Sequence, residues 1–110
     1  SYSVTGVQTC ALPICPGVKS RDLALRVDAI FAEKGYVMPH GLGHGIGLEA
    51  HEMPPVRSRE DNTWVLAPGH MITVEPGLYD PAEGGVRLEN DILITENGYE
   101  VLTHSRIVYL

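Results

Sequence analysis

The sequence predicts an α+β fold in which one N-terminal amphipathic helix precedes mostly antiparallel strands. Apolar residues recur at helical spacing between Leu23 and Phe31, which indicates a helix with one buried face. Short apolar runs separated by turn-forming dipeptides fill the rest of the chain, and the last two flank Asn97-Gly98, a strong hairpin signal. A helix followed by strands that short turns connect is typical of the α+β class.

Length and composition allow one modest domain of ordinary apolar content. The chain has 110 residues, 44% of them hydrophobic, and a net charge of −6. An acidic chain repels nucleic-acid phosphates and anionic lipid surfaces, and no apolar run is long enough to cross a bilayer. We therefore expect neither a nucleic-acid nor a membrane partner. A cytoplasmic location is a separate expectation.

The first residues look foreign to the rest of the chain. Residues 4–14 agree one by one with the in-frame translation of a common sequencing-library adapter. A short strand ending at Pro13 is the alternative. We expect residues 1–15 to be a non-native leader, with authentic sequence from near Pro16 and a longer parent gene. Cys10 and Cys15 then carry no information about disulfides or redox compartment.

A helix is predicted over residues 20–34. Ser20 is the expected N-cap, Asp22 complements the positive end of the helix dipole, and Gly35 supplies the stop. The predicted apolar face consists of Leu23, Val27, Ile30 and Phe31.

Residues 40–52 read HGLGHGIGLEAHE and place three histidines and two glutamates among four glycines. Each glycine inside a helix would cost about 1 kcal/mol relative to alanine, so we expect a loop or an irregular strand. This separates the stretch from the helical H-E-x-x-H zinc motif, in which the helix sets the ligand spacing.

Three strands are predicted after this stretch. The first covers 70–75 and ends at Glu75, because Pro76 imposes extended geometry and removes a donor. Turns follow over 76–85, and then a strand over 86–95 and a return arm over 99–103. The strand at 86–95 should place Val86, Leu88, Ile92 and Ile94 on one face, and Arg87, Glu89 and Asp91 on the other.

His44, Glu75 and Glu89 are candidate metal ligands, because one imidazole with carboxylates suits Mn, Co, Fe or Zn. The residues alone leave plainer interpretations open. His44 could be a turn residue, Glu75 a solvated carboxylate at a strand end, and Glu89 one partner of a cross-strand ion pair with a basic neighbour. Arg87 could equally be plain surface, and His51-Glu52 a polar loop.

Three blocks of sequence carry a family resemblance: residues 40–52, TVEPGLY at 73–79 and GGVRLEND at 84–91. In this order they resemble the C-terminal half of the catalytic domain of pita-bread metallopeptidases, the family of aminopeptidase P, prolidase, methionine aminopeptidase and creatinase. The resemblance runs from about residue 16 to residue 110 and implies a partial pita-bread fold. The last two blocks look more like the Xaa-Pro peptidase branch than the methionine aminopeptidase branch.

The resemblance implies a centre of two divalent metal ions, with manganese first and cobalt, zinc or iron as alternatives. His44 and Glu75 would bind one ion, Glu75 would also assist proton transfer, and Glu89 would bridge both ions. A hydroxide shared by two such ions is a nucleophile at neutral pH.

The resemblance also implies roles for residues that do not bind metal. His40 and His51 would line the substrate cleft, bind a short peptide and stabilise the tetrahedral intermediate. Arg87 would hold the site carboxylates through charge-assisted hydrogen bonds.

Departures from the family pattern limit what this chain is expected to do. The family has two further ligands, both aspartates, whereas Asp22 and Asp28 lie on the predicted helix. His70 and Asn90 are substitutions away from ligand positions. We expect a parent that hydrolyses an Xaa-Pro bond near the N-terminus of a peptide, and an isolated chain with little activity and weak metal binding. Methionine aminopeptidase, a creatinase-like amidinohydrolase and a non-catalytic protein-binding module are the alternatives, and a homodimeric parent is one expectation.

Overall fold

The computed structural model describes residues 14–106. The predicted α+β architecture is confirmed, with a helix followed by short antiparallel strands. The helix, α1, spans Ser20–Glu33. The strands are β1 (Gly43–Gly45), β2 (Glu52–Val56), β3 (Met71–Val74), β4 (Gly77–Asp80), β5 (Gly84–Arg87), β6 (Asn90–Ile94) and β7 (Tyr99–Val101). The proposal that residues 1–15 are a foreign leader falls largely outside the described residues and stays a prediction.

The strands form two sheets. Five strands make the larger sheet in the order β2-β1-β3-β6-β7, and β4 with β5 makes a separate hairpin. All pairings are antiparallel, and Val74 of β3 pairs with Asn90 of β6. Since the residue after Val74 faces the residue before Asn90 in such a pair, Glu75 and Glu89 leave the sheet side by side.

Helix α1 packs against the larger sheet next to β2. Its buried apolar residues are Leu23, Ala24 and Val27. Of the predicted apolar face, Leu23 and Val27 are buried, whereas Ile30 and Phe31 are only partly buried. Across from the helix, the core takes its apolar side chains from the strands and the loops between them: Leu42, Val56, Leu66, Ile72, Val74, Ile92 and Ile94. No helix among the described residues has the length and apolar character needed to cross a membrane.

The two ends of α1 are held differently from each other. Gly35 ends the helix as predicted, with φ of 78° and with the amide of Tyr36 donating to the carbonyl of Phe31 at 3.0 Å. This is the glycine-terminated arrangement that satisfies free helix carbonyls.

The prediction that Ser20 is the N-cap is wrong, because the capping position is Lys19 and no side chain caps the helix. Ser20 is the first helical residue, and its hydroxyl donates to the carbonyl of Pro55 at 2.7 Å. It also accepts a hydrogen bond from Nδ2 of Asn62 at 3.0 Å. Its hydroxyl therefore ties the helix to β2 and the following loop.

The single strand predicted over 86–95 is also incorrect. Residues 84–87 pair with β4 and residues 90–94 with β3, so the chain passes from one sheet to the other near Leu88. The turn after Asp80 brings Gly84 back to pair with Asp80. The strand that begins at Gly84 therefore pairs with β4 and not with the larger sheet. Val86 is consequently 61% exposed, whereas Ile92 is buried as predicted.

The last predicted hairpin is confirmed. Ile94 pairs with Tyr99 across a four-residue connection that contains Asn97-Gly98, and the amide of Thr95 donates to the carbonyl of Gly98 at 3.0 Å. The return strand is shorter than predicted, since it ends at Val101.

Candidate active site

A cavity of about 380 Å³ opens where β1, the end of β3 and the segment between β5 and β6 meet. It is lined by His44, Ile46, Ala50, His51, Thr73, Glu75, Arg87, Glu89 and Asp91. Five of the six predicted site residues are in this set. The sixth, His40, lies outside it.

Strand β1 places His44 in the cavity through an unusually close contact with β3. The amide of His44 donates to Oγ1 of Thr73 at 3.0 Å. A Cβ added to the preceding Gly43 would lie 1.9 Å from the carbonyl oxygen of Thr73, so only glycine allows this approach. The glycine before His44 therefore determines how deeply the histidine enters the cavity.

One imidazole nitrogen of His44 is hydrogen-bonded to the backbone, and the other faces the cavity. Nδ1 lies 2.9 Å from the carbonyl oxygen of Gly45, and because a carbonyl only accepts, Nδ1 carries the proton. Nε2 then presents its lone pair 3.6 Å from Oε2 of Glu75. This separation is too long for a hydrogen bond, so the two atoms face one space as potential ligands. A backbone carbonyl that fixes the tautomer is typical of metal-binding histidines.

His51 lies beside His44 at the edge of the cavity. Their ring centroids are 4.3 Å apart and the rings are tilted by 42°. His51 belongs to the exposed loop between β1 and β2, so its ring can meet a molecule that enters the cavity.

Arg87 stands between Glu89 and Tyr79. Its Nε lies 3.6 Å from Oε2 of Glu89. A hydrogen bond with Tyr79 raises the pKa of the Arg87 guanidinium above its ordinary value, and the charges of Tyr79, Glu75 and Glu89 add to this. Exposed ion pairs stabilise proteins little, and at 3.6 Å the contact of Arg87 with Glu89 is longer than a hydrogen bond.

Tyr79 connects Arg87 to His40. The Tyr79 hydroxyl lies 3.0 Å from Nε2 of His40, and Nδ1 of His40 lies 2.7 Å from the carbonyl oxygen of Gly41. Since that carbonyl fixes the proton on Nδ1, the hydroxyl donates to Nε2 and accepts from Arg87, which has only donors. His40 is thus linked to the arginine beside Glu89 without lining the cavity.

Two glycines make room for the Tyr79 ring. A Cβ on Gly77 would lie 2.7 Å from the Tyr79 hydroxyl oxygen, and one on Gly85 would lie 2.4 Å from its Cδ1. Both glycines belong to the sequence blocks that carry the family resemblance, and their role here is steric.

The comparisons with known proteins decide the family. Residues 4–96 match the pattern of Metallopeptidase family M24. The chain belongs to this family. An uncharacterised peptidase of Staphylococcus aureus strain MW2 is 50% identical to the M24 chain over 93 residues, which are 83% of this chain and 26% of that protein.

Solved structures of two relatives also resemble the M24 chain. The prolidase from Pyrococcus horikoshii OT3 has a TM-score of 0.84 and 41% identity, over 94% of this chain and 30% of that one. The Xaa-Pro dipeptidase from Bacillus anthracis has a TM-score of 0.83 and 42% identity, over 94% and 29%. The predicted resemblance and the partial pita-bread fold are confirmed. The M24 chain spans about a quarter of the length of the curated relatives it matches.

The donor atoms of the cavity fit a divalent ion in kind but do not complete a site. His44 and Glu75 face each other, whereas Glu89 is turned towards Arg87. Within residues 14–106, no three histidine, cysteine, aspartate or glutamate side chains form a group that could hold a metal ion. The assignment of His44, Glu75 and Glu89 as metal ligands therefore remains a proposal.

Sequence reasoning gave no role to three residues that build the site. Thr73 binds the amide of His44, Tyr79 joins His40 to Arg87, and Asp91 lines the cavity. Strand alternation could have found Thr73, since it shares a face with Glu75 two residues on. The same alternation did group Asp91 with Glu89 and Arg87.

Proposed function

We propose that the parent protein of this M24 chain is a dinuclear-metal peptidase that cleaves an N-terminal Xaa-Pro bond in short peptides. The observation that carries the proposal is the cavity shared by His44, Glu75 and Glu89, an imidazole with two carboxylates that suits divalent transition metals. The identities of 41% and 42% to a prolidase and an Xaa-Pro dipeptidase support the preference for proline.

The metal would be held by Nε2 of His44 and the carboxylates of Glu75 and Glu89, with manganese first and cobalt, zinc or iron as alternatives. When bound, divalent ions supply Lewis acidity and activate water for attack on the peptide carbonyl. Two further ligands, which we expect to be aspartates, would come from another part of the parent polypeptide.

The remaining residues would act on the substrate and on the proton. Glu75 lies at the cavity with a side chain 16% exposed, so its carboxylate can exchange a proton with a reacting water or amine. His51, at the cavity edge beside His44, would donate to the developing negative charge on the substrate carbonyl. His40 would contact the peptide next to Tyr79, and Arg87 would keep Glu89 in place.

The isolated 110-residue chain would bind metal weakly and have little or no activity. The support is the partial ligand set, in which His44 and Glu75 face each other while Glu89 pairs with Arg87.

Assays of the parent protein test this function. The uninterrupted reading frame that contains residues 16–110 would be expressed and supplied with Mn(II). It should hydrolyse Xaa-Pro peptides, and Glu75→Gln should lower kcat about 10²- to 10⁴-fold, the usual contribution of a proton-transferring side chain. Glu60→Gln, an exposed change of the same kind, should leave kcat unchanged.

Other substrates separate the rivals. Cleavage of peptides with N-terminal methionine but not of Xaa-Pro peptides would favour methionine aminopeptidase. Hydrolysis of creatine would favour a creatinase-like amidinohydrolase. A metal-supplied parent inactive on all of these substrates would favour a protein-binding module and overturn the proposal.

A further inference from the structure

The loop between β1 and β2 carries His51 but has little packing of its own. Residues 47–51 are all exposed, and Leu48 is 103% exposed. A loop without buried side chains depends on hydrogen bonds for a defined conformation. His51 nevertheless lies with its ring centroid 4.3 Å from that of His44, so other contacts must hold it there.

The carboxylate of Glu52 lies inside this loop and supplies such contacts. Oε2 of Glu52 accepts the amide proton of Glu49 at 2.8 Å. The amide of Gly47 in turn donates to the carbonyl of Glu49 at 3.2 Å. Hydrogen bonds to ionised acceptors are about twice as strong as neutral ones, so the Glu52 carboxylate is the strongest acceptor identified within the loop.

Gly47 provides the space for this carboxylate. A Cβ at position 47 would lie 2.4 Å from Oε1 of Glu52 and 3.0 Å from its Cδ. An alanine there would displace the carboxylate, although the glycine has no left-handed φ that would require it. The lack of a side chain at Gly47 therefore leaves room for the Glu52 carboxylate inside the loop.

Glu52 is itself anchored in the sheet. It is the first residue of β2 and pairs with Gly45, which follows His44 in β1. The carboxylate thus extends from the strand pair that positions His44 into the loop that carries His51.

We propose that Glu52 is a positioning residue of the site, which fixes the loop 47–51 from within so that the His51 imidazole lies beside that of His44. The functional consequence rests on the proposed function, in which His51 binds substrate. Glu52 itself touches neither the cavity nor a reacting group among the described contacts.

The test compares four variants of the 110-residue chain by nuclear magnetic resonance. Glu52→Ala removes the acceptor, and Gly47→Ala keeps it but displaces it. Both should abolish the nuclear Overhauser contact between the two imidazole rings and speed amide exchange at Glu49 at least about tenfold. Glu52→Gln keeps an acceptor oxygen and should retain the ring contact. Leu48→Ala, in the same loop, should resemble the unmodified chain in both measurements.

Persistence of the ring contact and of slow Glu49 exchange in folded Glu52→Ala would overturn the proposal. Should Glu52→Ala fail to fold, the same readings on Gly47→Ala decide it. Parent-enzyme kinetics keep the two proposals apart. A lost ring contact with unchanged kcat/KM would support the positioning role and contradict the catalytic role of His51.

Discussion

The hydroxyl of Tyr79 donates a hydrogen bond to Nε2 of His40 at 3.0 Å, across a sequence separation of 39 residues. The same hydroxyl accepts from Arg87, whose guanidinium lies beside Glu89. A peptide that moves His40 would therefore also disturb the arginine that lies beside Glu89, a proposed metal ligand. Through Tyr79 and Arg87, His40, the proposed substrate-binding residue, is connected to the cavity although it does not line it.

Tyr79→Phe should break this connection and leave the fold intact. The ring still fits between Gly77 and Gly85, and loss of the two hydrogen bonds of the exposed hydroxyl, to His40 and to Arg87, should cost about 0.5–1.5 kcal/mol each in the free energy of unfolding. The imidazole nitrogen shifts of His40 should change in nuclear magnetic resonance spectra. Tyr36→Phe, a substitution at another exposed tyrosine, should not alter them. Unchanged His40 shifts in Tyr79→Phe would contradict the hydrogen bond between Tyr79 and His40.

Gly43→Ala should disrupt the placement of His44. The new methyl group would meet the Thr73 carbonyl oxygen at 1.9 Å, so β1 and β3 must separate, at a cost of about 1–3 kcal/mol or more. Urea unfolding measures the loss, and the amide of His44 should exchange faster as its bond to Thr73 lengthens.

Gly98→Ala is the matched control for this substitution. The nearest atom to a Cβ there is 4.0 Å away, so stability should change by less than about 0.5 kcal/mol. Equal stability of the two alanine variants would mean that β1 does not need the close contact.

Asn62→Ala should destabilise the chain from a position far from the cavity. The Asn62 side chain is buried, donates to Ser20 Oγ and to the Arg57 carbonyl, and accepts from the amide of Trp64. Removing it leaves the Arg57 carbonyl and the Trp64 amide without this partner, at about 2–3 kcal/mol in the free energy of unfolding. Thermal unfolding followed by circular dichroism would measure this.

Exposed Thr63→Ala, in the same loop, should stay within about 0.5 kcal/mol of the unmodified chain. A comparably small effect of Asn62→Ala would show that water replaces the lost partners and that the loop does not depend on Asn62.

Much of the site could be predicted because it is shaped by residues that restrict the backbone next to them. Pro76 allows no continuation of the strand, so β3 ends at Val74, one residue before the predicted end at Glu75, and Gly35 ends the helix. The position of Glu75 beside Glu89 then follows from antiparallel pairing of two recognisable strands.

The rest depends on partners distant in sequence. The alternation of residues 86–94 is interrupted at Asn90 and at Leu93, and it carries no information on which strand each residue pairs with, so it does not predict the change of sheet near Leu88. Serine is a residue type that commonly caps helices, yet the hydroxyl of Ser20 donates to the carbonyl of Pro55, 35 residues away. The sequence shows Tyr79 only as part of a motif, since its contact with His40 joins residues 39 positions apart.

We propose that the cavity around His44, Glu75 and Glu89 supplies part of a metal centre. Titrating Mn(II) into the 110-residue chain, with calorimetry for affinity and paramagnetic line broadening for location, tests it most directly. We expect weak binding, with broadening confined to the cavity, lost in His44→Ala and retained in a variant of the exposed His104, His104→Ala. Two tight sites, or broadening that persists in His44→Ala, would contradict it.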